Sequence, residues 1–137
     1  MPSAPFLYDT AKDLALNDVV QNADRALYLN GDPNSYSDAD TFVSNGGVKV
    51  GERNLSTIGF DGPVDGDTSG RKITLLKAGF VADESDSVNR VAIVDDDAQV
   101  IQQMFVVDDG AGNPVSTTEG FAYNSEDADM ELRDANG

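Results

Sequence analysis

Val88-Asn89-Arg90-Val91-Ala92-Ile93-Val94 and Val100-Ile101-Gln102-Gln103-Met104-Phe105-Val106-Val107 flank the turn Asp95-Asp96-Asp97. The first run is rich in β-branched residues, the second returns as another apolar run, and a turn that opens on three aspartates separates them. Residues that fit a pleated surface, bounded by turn formers, read as two antiparallel strands and a hairpin. This hairpin, expected over 88–94 and 99–107, sets the class of the fold.

Upstream of it the same grammar repeats. Strands are expected at 25–29, 55–60, 71–77 and 79–81. A further tight hairpin, 41–44 with 48–50, is expected around Asn45-Gly46-Gly47, because Asn-Gly favours the positive backbone angles such turns need. Residues 51–54 and 61–70 read as turns and loops, rich in Gly, Asp, Ser and Thr. Downstream, 121–123 and 130–132 are expected as two short final strands. One helix is expected, over 10–23. There Ala11, Leu14, Ala15, Val19 and Ala23 recur at helical spacing, Leu16 widens the face, and Thr10 with Asp13 has the spacing of a capping box. The expected class is therefore mainly β, an antiparallel β-sandwich or jelly-roll-like barrel with one N-terminal amphipathic helix. The expected organisation is an N-terminal arm over 1–9, one β-rich domain over 10–132 and a flexible tail over 133–137. The start of the chain lacks the basic and apolar regions of a secretory signal, and no apolar run reaches membrane-spanning length.

Composition narrows the function. The chain has 137 residues and a net charge of −16, from 25 acidic and 9 basic side chains. Aspartate outnumbers glutamate about four to one. Nucleic acid and anionic membranes need a basic footprint, so neither is expected as a partner. A charge this large repels itself, and salt screens it: the screening length falls from roughly 10 Å at 0.1 M to about 3 Å at 1 M. The composition therefore reads as salt-adapted. Histidine, cysteine and tryptophan are absent. That removes the thiolate nucleophile, the usual general base near neutral pH, the Ser-His-Asp triad and the usual zinc ligands. No enzymatic activity is expected.

The acidic turns are the remaining candidates for chemistry. Asp61, Asp65 and Asp67 in one turn, and Asp95, Asp96 and Asp97 in the other, are candidate ligands for calcium or another hard cation, which prefers clustered oxygens. Neither run has the spacing of an EF-hand loop. No resident cofactor is expected beyond such an ion. Asp67-Thr68-Ser69-Gly70 resembles an aspartic-protease signature but carries an extra residue. Gly110-Ala111-Gly112-Asn113 lacks the lysine and the following helix of a phosphate loop. Where charge thins out, contacts with other proteins are expected. Phe6, Leu7 and Tyr8 form an apolar cluster on the arm, and Tyr36 is an aromatic anchor in a polar loop. These four are the candidate interface residues.

The arm and helix over 6–23, the strand and turn Ala26-Leu27-Tyr28-Leu29-Asn30-Gly31-Asp32-Pro33, the central hairpin, and the closing pair Glu119-Gly120-Phe121 and Met130-Glu131-Leu132 stand in a recognisable arrangement. It resembles that of the small β-rich structural proteins encoded beside capsid and tail genes in tailed viruses of bacteria and archaea. The resemblance implies a virion location after assembly in the host cytoplasm. It implies the major capsid protein or other virion proteins as partners. Together with the salt-adapted composition it implies a halophilic host. The expected function is a capsid decoration or turret protein that binds the outside of the shell and stabilises it, as a symmetric homo-oligomer, trimer or pentamer. A tail, neck or fibre-associated virion protein, or a cation- or glycan-binding sandwich for host attachment, are the alternatives.

Overall fold

The computed structural model describes residues 9–56, 59–66, 70–124 and 128–132. The chain is mainly β, with antiparallel sheets and one N-terminal helix, as expected. In chain order the elements are α1 (Asp9–Asn22), β1 (Arg25–Leu29), α2 (Tyr36–Ala39), β2 (Lys49–Asn54), β3 (Phe60–Asp65), β4 (Arg71–Leu75), β5 (Gly79–Ala82), β6 (Ser87–Val88), β7 (Arg90–Asp95), β8 (Val100–Val106), β9 (Val115–Ser116), β10 (Ala122–Asn124) and β11 (Ala128–Leu132). They cluster into two compact units. One comprises Met1–Asn22, Ser56–Lys77 and Glu126–Gly137; the other comprises Ala23–Leu55 and Ala78–Ser125.

The second unit holds an open six-stranded antiparallel sheet in the order β10-β5-β2-β1-β7-β8. Its central strands are apolar on both faces. In β1, Ala26 through Leu29 are buried, and in β7, Val91 through Val94 are buried. A strand covered on both sides needs a near-continuous apolar run rather than an alternating one, which is what RALYL and VAIV supply. Each fully buried Leu, Ile or Val side chain contributes about 1.5–3 kcal/mol relative to exposure. The pairing Leu27↔Ala92↔Met104 and Arg25↔Val94↔Ile101 puts these residues on one face; Ala26↔Ile93↔Gln103 and Tyr28↔Val91↔Phe105 occupy the other. On the first face, Ala39 of α2 joins Leu27, Leu29, Ala92 and Val94 in a core cluster, with Tyr36, Val48, Ile101 and Met104 packed against it. On the other, Tyr28 stacks on Phe80 of β5 with ring centroids 3.7 Å apart. Gly51 lies opposite Tyr28, and a Cβ there would stand 3.0 Å from the Phe80 ring, so glycine makes room for the stack. A separate short pair, β6 with β9, belongs to the same unit.

The first unit holds a three-stranded antiparallel sheet, β11-β4-β3, with α1 packed on β3 and β4. Phe60, Ile73, Leu75 and Met130 are its buried apolar residues on the sheet. Arg71 of β4 donates to Asp13 of α1 at 2.8 Å and to Asp65 of β3 at 2.7 Å, tying helix to sheet.

Four expectations need correction. The buried face of α1 is Lys12, Leu16 and Val20, at successive i+4 positions, whereas Leu14 is 69% exposed. Leu16, expected at the margin of the stripe, lies at its centre, because burial follows the face turned to the sheet rather than the densest apolar count. Thr10 sits inside the first turn, not at the cap, and Asp13 pairs with Arg71. The tight hairpin at 45–47 is a turn but not a two-strand one. Val43–Asn45 forms a 3-10 turn closed by Gly46 at φ 92°, and residues 36–39 form α2 with Ser35 accepting from the Asp38 N–H. Gly47 is required because a Cβ would meet the Thr41 carbonyl oxygen at 2.1 Å. Finally, 51–54 belongs to β2, and 61–65, expected as loop, belongs to β3. There Gly62-Pro63 bulges out between Asp61 and Val64, so turn-forming residues mark an irregular edge strand.

Candidate functional site

Two regions of the second unit concentrate the candidate residues. The first is built around Arg25, which opens β1. Its Nε donates to Asp96 Oδ2 at 2.8 Å and its Nη2 to Asp96 Oδ1 at 2.6 Å, a two-pronged pair. Its Nη1 donates to Asp40 at 2.7 Å and also to Glu52. Lys49 donates to the same Asp40 oxygen at 3.0 Å and lies 4.3 Å from the centre of the Phe42 ring. The Tyr36 hydroxyl donates to Asp96 at 2.7 Å and accepts from Arg25 Nη2 at 3.3 Å. The members come from five places: Arg25 from β1, Tyr36 from α2, Asp40 closing α2, Lys49 and Glu52 from β2, and Asp96 from the turn after β7. The guanidinium fork suits this work because it satisfies several carboxylates in fixed directions.

Electrostatics follow from that geometry. The hydrogen bond to Arg25 holds the Asp96 carboxyl below the ordinary aspartate range, against the opposing effect of burial. For Asp40, burial pushes upward, and the hydrogen bonds from Arg25 and Lys49 more than reverse it. Arg25 is raised, first by Asp96. Tyr36 is raised because its hydroxyl donates to the Asp96 carboxylate. The network is an electrostatic clasp between the sheet and the segment that carries α2.

The candidate cation ligands fall in separate places. Asp95 and Asp97 converge with Asp24, and the three carboxylates have oxygens within 4.8 Å of one another. A hard cation with oxygens at about 2.3–2.6 Å would fit that spacing. Asp96, between them in sequence, turns instead to Arg25. Asp24 also accepts from the Asp96 N–H at 2.7 Å, and Asp95 accepts from the N–H groups of Asp97 and Ala98, so the group shapes the turn. Asp61 and Asp65 lie on β3 in the other unit. Asp61 is exposed, and Asp65 is paired with Arg71. Asp67 lies outside the described residues, as do the interface candidates Phe6, Leu7 and Tyr8. Tyr36, the remaining interface candidate, is half-buried and engaged in the clasp. Sequence reading missed Asp24 of the carboxylate group and Arg25, Asp40, Lys49 and Glu52 of the clasp. The register was the available signal: Arg25 pairs with Val94, which sets Asp24 beside Asp95.

The second region is β8, an outermost strand of the six-stranded sheet. It pairs with β7 on one side, and no described strand pairs with the other. Gln102 is the extra residue of a bulge, since Ile93 faces Gln103 while Val94 faces Ile101. Val100 and Val106, at its two ends, are 46% and 72% exposed. No residue from 98 to 107 carries a charge.

No known protein family, curated protein or solved structure matches the chain. Function therefore has to be argued from these two regions. The clasp uses its charges to fix the fold. Among the described residues no strand covers the outer side of β8, and its two end valines are exposed. Among the described residues no helix is long and apolar enough to cross a membrane.

Proposed function

We propose that the chain is a virion structural protein: a capsid decoration protein that binds the outside of a shell and stabilises it through protein–protein contacts. The observation that carries this reading is the uncharged β8 edge on a chain of net charge −16. Carboxylates keep most of such a surface hydrated and repel near neighbours. A long sheet edge without charge is the place where another chain can approach. The arrangement of arm, helix and hairpins that resembles tailed-virus structural proteins supports the virion setting, with the major capsid protein or other virion proteins as partners. The aspartate-rich composition supports a halophilic host. Quantitative mass spectrometry of purified particles tests the reading. Hundreds of copies per particle are expected; a few tens would move the protein to the tail or neck, and absence from the particle would overturn the virion role.

A second reading, a cation-binding domain for attachment to a host surface, is favoured by the convergence of Asp24, Asp95 and Asp97. It requires calcium to bind in concentrated KCl, measurable by calorimetry. Absence of a binding heat in both low and high salt would rule it out.

A further inference from the structure

We propose that β8 is a self-association strand: two copies of the chain join their six-stranded sheets by antiparallel pairing of β8 with β8 about a twofold axis near Gln103. The proposal deepens the assembly reading above and rests on it. It starts from the contrast among the strand edges. In the three-stranded sheet, β3 carries Asp61, Asp65, the Gly62-Pro63 bulge and a proline that has no N–H to give, and β11 carries Asp129 and Glu131. At the far side of the six-stranded sheet, β10 is only 3 residues long. Proline, bulges, charge and shortness are the devices that keep sheet edges from pairing. β8, with 7 residues, has neither charge nor proline, and the bulge at Gln102 is the one such device it carries. At about 3.4 Å per residue it offers roughly 24 Å of edge.

A second copy is the occupant these features fit. An isologous contact requires a surface complementary to itself under a twofold rotation. The sequence Val-Ile-Gln-Gln-Met-Phe-Val is apolar on both sides of Gln102 and Gln103, so a twofold near the amides sets apolar residues against apolar ones. With the bulge at Gln102 counted, a twofold at Gln103 sets Met104 opposite the second copy's Ile101. It sets Phe105 opposite the second copy's Val100. Apolar cross-strand pairs of this kind favour the pairing. Charge points the same way. A basic partner would be drawn to the carboxylate-rich surface, whereas two copies of an acidic chain repel least where both are uncharged. Such a contact closes at two copies; a trimer or pentamer would need a further, heterologous surface. One strand pair is a small interface, below about 1,200 Å², so the affinity is expected to be modest and to rise with salt.

The absence of cysteine from the native chain makes the test clean. Gln103→Cys should give a disulfide-linked dimer as the main product on mild oxidation in about 2 M KCl. Residues facing each other in an antiparallel pair lie about 4.5 or 5.5 Å apart, within disulfide reach. Val64→Cys, on the guarded β3 edge, should stay monomeric under the same conditions. In sedimentation, the wild-type chain should dimerise more tightly at 2 M than at 0.1 M KCl. Val100→Asp and Val106→Asp, both at exposed positions, should raise the dissociation constant at least tenfold while leaving the monomer's unfolding midpoint, read in dilute low-salt solution, little changed. A wild-type chain that stays monomeric near millimolar concentration in high salt overturns the proposal. So does a dimer insensitive to both aspartates, or equal cross-linking at position 64. Failure here with the protein still present in particles would remove the β8 contact alone; absence from particles would remove the decoration reading.

Discussion

Around Arg25, three carboxylates and two cations are gathered within hydrogen-bonding distance, and each has a partner of opposite sign. Along β8, at the margin of the same sheet, charge is missing altogether. Both departures stand out against the surface of an acidic chain. In the first, charge is concentrated and neutralised, and the result is a closed joint between the α2 segment and the sheet. In the second, charge is withheld, and the result is an edge that no strand among the described residues pairs with. The lesson is that acidity in this chain is a background. The informative places are where carboxylates are paired and where they are missing.

The largest expected effect comes from breaking the clasp. Arg25→Ala leaves Asp96, Asp40 and Glu52 crowded without their shared cation. Arg25 keeps 15% side-chain exposure and its partners 32%, so the loss should fall below that of a fully buried pair. About 2–3 kcal/mol is expected in urea unfolding. Arg25→Lys should recover only part of it, because an ammonium cannot hold Asp96 with two prongs and reach Asp40 as well. The pH dependence carries a definite sign. Asp96 and Asp40 have folded-state pKa values below their unfolded ones. Their stabilisation is therefore present above pH about 4 and is lost as pH falls through the folded values. The gap between wild type and Arg25→Ala should shrink below that pH. A gap of constant size down to pH 2 would show that the clasp is held by something other than charge.

A smaller effect separates the two roles of β8. Ile101 and Met104 pack against the cluster of Leu27, Leu29, Ala39, Ala92 and Val94. They are half-buried, so Ile101→Ala should cost about 1–2 kcal/mol, less than a fully buried truncation. Val106→Asp touches an exposed position and should shift stability by no more than about 0.5 kcal/mol. If the two variants were equally destabilised in urea, β8 would have no free edge and the comparison with the clasp would fail.

The sequence disclosed the mainly β class and the β7–β8 hairpin, because apolar runs bounded by Asp and Gly encode local geometry. It disclosed less about β3. Gly62 and Pro63 signal a turn locally, but pairing with β4 overrides the signal and keeps the segment in a sheet. The helix was legible to within a residue at each end, but its cap and its buried face were not. Ala11, Leu14 and Ala15 form an apolar stripe by count, while burial depends on which side meets β3 and β4. The clasp was the least legible feature. Its members stand at 25, 36, 40, 49, 52 and 96, and only the strand register brings them together. Three adjacent aspartates read as one cluster in sequence. The turn sends Asp96 to Arg25 and leaves Asp95 and Asp97 with Asp24.

That division of the aspartate run sets the smallest and most discriminating expectation. Asp24, Asp95 and Asp97 place three like charges within 4.8 Å of one another. Asp24 and Asp95 also receive backbone N–H groups of the turn, whereas the Asp97 side chain shows no such bond among the described residues. Asp97→Asn should therefore relieve repulsion without loosening the turn. The gain should be about 0.5 kcal/mol at low ionic strength, and it should fade near 1 M KCl as the screening length drops to about 3 Å. The sign is the decisive quantity. A gain that salt erases means the three carboxylates only repel, as in the rest of the acidic surface. A loss that deepens when calcium is added means they act together as ligands, and this turn then joins the clasp as a place where charge is gathered in order to be neutralised.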